Sequence, residues 1–172
     1  MGLSRRLADL EEILDSLYET LGEAQKHYVR ASDIFIKNSI KQRIRKELLP
    51  EIHEYEAEYW KLLAQVGLAC EVNEVKAQSV IIQVEPEVVQ LIESRPNGDY
   101  SNELMQKLQE ILNKLNEPGN PAAAKAKLAL NLIPGILSYE VEVDTEQALR
   151  NAFQPIRNLF REALENRKAH PN

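Results

Sequence analysis

The side chains in this sequence that could do chemistry are few and widely spaced. Glu23 and His27 stand four apart on what reads as one helix, and Glu54 and Glu58 stand four apart on the next, so each pair shares a helix face. Carboxylates and imidazoles facing each other across helices are the ligand types of a carboxylate-bridged metal bundle. Such a site takes a Glu-x-x-His step from each of two helices, and the chain contains no such step. Glu51 and His53 are only two apart and point in different directions. These pairs therefore read as a solvated charged face, and no metal is expected. The single cysteine, Cys70, lies among Leu68, Ala69 and Glu71, apolar or acidic neighbours that offer no nearby cation to activate a thiol. It reads as structural. His27, His53 and His170 are dispersed, and no nucleophile elbow, P-loop or dinucleotide fingerprint is present. No catalytic residue and no cofactor site is assigned, and an enzyme is disfavoured.

Charge is the more informative pattern. Lys37, Lys41, Arg43, Arg45 and Lys46 precede Pro50, and Glu51, Glu54, Glu56 and Glu58 follow it. A helix dipole prefers acids first, so this order works against the helix that carries it, and docking onto another surface is one way to account for it. The bases spread over more than one face with no interleaved aromatics, and the chain as a whole carries a net charge of −6. Both features argue against nucleic acid and for a solvated face or an acidic protein partner. Two antiparallel copies would also set each basic half against an acidic half, so a homodimer fits the same pattern. The candidate protein-binding residues are Lys37, Lys41, Arg43, Arg45, Lys46, Glu51, Glu54 and Glu58.

Helices must position these groups. Leu7, Leu10, Leu14, Leu17 and Leu21 form a seam at steps of three and four. Polar Ser32–Asp33, with Asp33 as an N-cap, leads into a second long helix over 34–66, which Pro50 kinks or splits. The two should form an antiparallel hairpin, with Tyr55, Tyr59 and Trp60 as its aromatic anchor. Beyond residue 78 the period changes. The β-branched run over 79–84 reads as a strand buried on both faces, with Pro86 opening a helix after it. Ser101 caps another helix with Leu104, Leu108, Ile111 and Leu115 inward, and Pro134–Gly135 ends the next. Residues 137–143 alternate, with Tyr139, Val141 and Val143 on one face, and read as a second strand. The last helix, with Pro155 inside it, begins near Asp144. The expected fold class is therefore α+β and predominantly α-helical. It comprises a helical hairpin over 1–68 and a helical part over 78–168 with two short strands, either separate or in one continuous domain.

A length of 172 residues supports one well-buried core or two small ones. The first residues lack the apolar run of a secretory signal, and Arg6 stands where a myristoylation start wants Ser or Thr. With one cysteine, a reducing cytoplasm is the simplest compartment. The most apolar stretch, 128–137, is too short to span a bilayer and is interrupted by Asn131, so membrane contact is disfavoured against core packing.

The segments LDSLYETLGEAQ and IKQRIRKELLPEIHEYEAEYWKLLAQ, within 14–65, resemble helical N-terminal modules of multidomain signalling and defence proteins of photosynthetic bacteria. In those, a hairpin with a basic-then-acidic second helix and an aromatic tail precedes effector or NTPase domains. The resemblance implies an effector-associated adaptor role without catalysis. Two other functions remain open: a small-molecule sensor or enzyme with its site between the halves, and a membrane-associated effector using 128–137.

Overall fold

The computed structural model describes residues 2–93, 101–139, 141 and 143–169. Of these, 88 % are helical and none is in a strand, so the fold is all-α and the α+β expectation is wrong. The helices are α1 (Gly2–Arg30), α2 (Ile34–Arg43), α3 (Leu49–Gly67), α4 (Glu74–Glu93), α5 (Asn102–Leu115), α6 (Ala122–Leu137) and α7 (Val143–Ala169). A widened π turn, Ile44–Leu48, joins α2 to α3 without a break. The chain divides into two compact units, Met1–Tyr59 and Trp60–Asn172, and the division falls inside α3.

In the first unit, Leu7, Leu10, Leu14 and Leu21 of α1 are buried, as are Ile44, Leu48, Ile52 and Tyr59 on the returning chain. Asp33 opens α2 by accepting the Phe35 N–H at 2.8 Å, satisfying one of the donors that a helix start leaves unpaired. The widened turn has two evident uses. Proline at position 50 removes a donor and crowds the carbonyl four residues back, and a looser turn just before it relieves that crowding. It also keeps the buried side in line. Ile44, Leu48, Ile52 and Glu56 are all buried at steps of four, and each such step overshoots an α-helical turn by about 40°. One extra residue in a turn takes back about 100° of that drift.

The second unit holds the end of α3 from Trp60 and α4 to α7, with α4 packed on α5, α6 and α7. The first supposed strand, 79–84, lies wholly inside α4. Ala77, Val80, Ile81, Val84, Val88 and Leu91 are buried, while Ile82 is 71 % exposed. The apolar period is thus helical and one-sided, and visible only over a span longer than six residues. Pro86 sits within this helix and does not open a new one. It and Ile82, four residues back, are both on the exposed side, so the lost hydrogen bond falls where solvent can substitute.

The second supposed strand, 137–143, is not a strand among its described residues either; residues 140 and 142 lie outside them. Leu137 ends α6, Ser138 Oγ donates to the Gly135 carbonyl at 2.7 Å, and Val143 already belongs to α7. Tyr139, half-buried after the turn, donates its hydroxyl to Glu103 of α5 at 3.0 Å. Alternation over so short a connection has nothing to pair with once the first run is helical. Likewise α6 continues past Pro134–Gly135 to Leu137. Its N-terminus is closed from a distance: the Glu74 carboxylate accepts the Ala122 and Ala123 N–H groups at 2.7 and 2.9 Å.

Candidate protein-docking surface

The site residues lie along one continuous stretch of α2, the π turn and α3, all within the first unit. What α1 presents to that stretch decides which of them are available. Arg6 grips Glu58 through both carboxylate oxygens, Nε to Oε2 at 2.6 Å and Nη2 to Oε1 at 3.0 Å. That hydrogen bonding raises the Arg6 guanidinium above its ordinary value. The Tyr18 hydroxyl donates to Glu56 at 3.0 Å, and the Tyr59 hydroxyl donates to Glu11 at 2.6 Å. Two of the four acids that follow Pro50 are thus engaged within the hairpin. Glu56 is buried despite its charge because it falls on the same line as Ile44, Leu48 and Ile52.

The basic half is treated differently. Lys41, Arg45 and Lys46 are exposed, and among the described residues none of them makes a salt bridge. Arg43 reaches only Glu47, one turn on, at 3.8 Å between two exposed side chains. Lys37 lies over the Tyr28 ring, 5.3 Å from its centre, a cation–π contact across the hairpin turn. Lys41 and Arg45 share one stripe and, with Asn38 and Gln42, line a depression of about 190 Å³. Two cations one turn apart in a shallow dent suit an anionic group. Glu51 and Glu54 are exposed, whereas Glu58 is half-buried under Arg6.

The remaining sequence candidates are scattered. Glu23 and His27 are exposed, and among the described residues no group of three or more His, Cys, Asp or Glu is placed to hold a metal. Cys70 is buried, its thiol donating to the Val66 carbonyl at 3.4 Å. In the 128–137 segment, Ala129, Leu130, Ile133, Ile136 and Leu137 are buried, so its apolar face is spent on the core of the second unit. No helix among the described residues is long and apolar enough to cross a membrane.

Sequence reasoning missed the exposed apolar tip of the hairpin. Ile34, Phe35 and Ile36 are 66, 80 and 46 % exposed, and Val29, beside them at the end of α1, is 76 % exposed. The available signal was that Ile34 and Phe35 fall outside the steps of three and four that begin at Ile40, although Ile36, four before it, is in phase. Comparison with family models, with curated proteins and with solved structures finds no match for this chain.

Proposed function

We propose that the chain is a non-catalytic protein–protein interaction or regulatory adaptor module that docks through the outer side of the helix from Lys37 to Glu58. The observation that supports this reading is the unequal use of charge. The hairpin takes up Glu56 and Glu58 internally and leaves Lys41, Arg45 and Lys46 facing solvent. The partner surface is acidic, and a second copy can supply it through Glu51 and Glu54. Single exposed pairs contribute about 0–1 kcal/mol, so these charges choose the partner and set register while apolar contact supplies affinity. A role beside effector domains, as the resemblance over 14–65 implies, is compatible with such a surface. The lone buried thiol is in keeping with a reducing, cytoplasmic setting.

The test is light scattering of the chain across a salt series, beside Arg45→Glu/Lys46→Glu. A wild-type complex that weakens with salt and is lost in the double variant, with melting unchanged, is the expected result. A monomer at low salt whose double variant merely melts lower would show that the bases serve the hairpin alone, and the self-association form of the proposal would fall. Crosslinking of the basic stretch to an acidic protein in the native host would then decide the hetero form.

A further inference from the structure

We infer that the distal tip of the hairpin seats on an anionic lipid bilayer, with Phe35 entering the acyl boundary and the bases around it meeting lipid phosphates. This goes beyond the protein-docking reading and does not rest on it. It supplies the second surface that an adaptor needs. Two independent observations carry it.

The first is the shape of the apolar tip. Ile34, Phe35 and Ile36 are consecutive in the first turn of α2, so their side chains leave the helix about 100° apart, and all three are exposed. A protein groove reads a single stripe at steps of three and four. A bilayer accepts apolar groups in every direction around an inserted tip. The cap geometry keeps the tip compact, because Asp33 is turned inward onto the Phe35 N–H at 2.8 Å and its carboxylate is partly offset by the helix start.

The second is charge. Between residues 23 and 47 there are seven lysines and arginines against three acids, in a chain whose net charge is −6. Positive charge is therefore concentrated at this end of the hairpin. Along α2 the rise of about 1.5 Å per residue places Lys37 about 3 Å and Lys41 about 9 Å above Phe35. Apolar groups of interfacial helices sit about 5–10 Å into the headgroup boundary, so with Phe35 inserted and α2 upright Lys41 falls at phosphate depth, and Lys37, lower down, reaches it only by extending its side chain upward. The dent lined by Asn38, Lys41, Gln42 and Arg45 lies at the same level and is large enough for a phosphate. Tyr28, with Lys37 over its ring, occupies the position where membrane-surface proteins place amphipathic aromatics. A second copy seated tip to tip would bring like charges together, which disfavours it as the occupant.

The experiment is co-sedimentation of the full chain with vesicles of phosphatidylcholine, with and without phosphatidylserine, at low and high salt. The expected result is binding to the phosphatidylserine vesicles that weakens with salt. Lys37→Gln/Lys41→Gln should lower the partition coefficient roughly thirtyfold, from about fivefold per base near the surface. Phe35→Ser should lower it on the order of tenfold or more. Phe35 is 80 % exposed, so the serine variant should keep the wild-type melting curve and loss of binding is not a folding defect. Absence of binding, equal binding to both vesicle types, or wild-type binding by Phe35→Ser would each overturn the inference. So would a change in oligomeric mass on Phe35→Ser without vesicle binding, which would assign the tip to a second copy. Arg45→Glu/Lys46→Glu, measured without lipid, reports on the protein-docking surface alone, so the two readings fail separately.

Discussion

Gly67 and Gly22 make opposite predictions for the same substitution. Gly67 closes α3, and a Cβ built there would stand 2.8 Å from Leu130 Cδ2 and 2.9 Å from Phe160 Cδ1. Both neighbours are fully buried, so neither has open space to move into. Overpacking of this kind costs about 1–3 kcal/mol. Replacing glycine by alanine in a helix returns at most about 1 kcal/mol, and less at a terminal residue. Gly67→Ala should therefore destabilise by about 1–2 kcal/mol. Gly22 lies inside α1, and a Cβ there meets nothing within 4 Å. Gly22→Ala should stabilise by about 0.8–1.0 kcal/mol, since only the propensity term operates. Urea unfolding of both variants and the wild type reads the two signs directly, with a shifted midpoint at unchanged slope. If Gly67→Ala matched or exceeded wild-type stability, the close packing of α3 on Leu130 and Phe160 would be refuted. A neutral Gly22→Ala would instead point to a compensating change in the unfolded chain.

Trp60→Ala should cost about 3–5 kcal/mol by thermal or urea unfolding, because the ring is fully buried; a near-zero change would contradict that burial. Asp33→Ala should cost about 1 kcal/mol through loss of the cap on Phe35, read by circular dichroism on melting. The Ala123 and Ala122 N–H groups hold the Glu74 carboxyl below its ordinary value of 4.5. A carboxyl lowered on folding stabilises fully above its unfolded value and loses that contribution as pH falls through the folded one. Melting temperatures should accordingly separate wild type from Glu74→Gln above about pH 5 and converge in acid; a constant gap across that range would show that the carboxylate is not the cap.

How much could be read from the sequence depends on how far each interaction reaches along the chain. The Asp33 and Ser101 caps join groups two and three residues apart, and side-chain type with spacing was enough to place them. The inner faces of α1 and α5 repeat over several turns, so Leu7 to Leu21 and Leu104 to Leu115 stand out by period alone. The 79–84 run misled because four β-branched residues among six are compatible with either period, and Pro86 suggested a boundary that burial on the other side of α4 overrides. The Glu74 cap on α6 joins residues 48 apart, and no local pattern announces it. The same holds for the site. The two blocks of charge were legible, but which block the hairpin would use internally depended on Arg6 and Tyr18 lying opposite Glu58 and Glu56.

That pairing resolves the puzzle of a helix whose charges oppose its own dipole. Glu56 and Glu58, midway along α3, have counterparts in Tyr18 and Arg6 of α1, so their placement follows from the antiparallel return of the chain and not from the helix that bears them. Of the bases, among the described residues only Lys37, over the Tyr28 ring, and Arg43, beside Glu47, have intramolecular partners. Lys41, Arg45 and Lys46 face solvent, near a turn whose apolar residues are also uncovered. These three bases sit in the interior of the helix that runs through the π turn, away from the termini where the dipole acts, and among the described residues the fold gives them no ion pair in return. Exposed apolar groups at the tip and uncompensated bases behind it are two departures from what stability alone would select, and they coincide. An acidic protein partner would pair the bases and leave Phe35 in water, and an anionic bilayer would take Phe35 into its acyl boundary, so each departure calls for its own external counterpart.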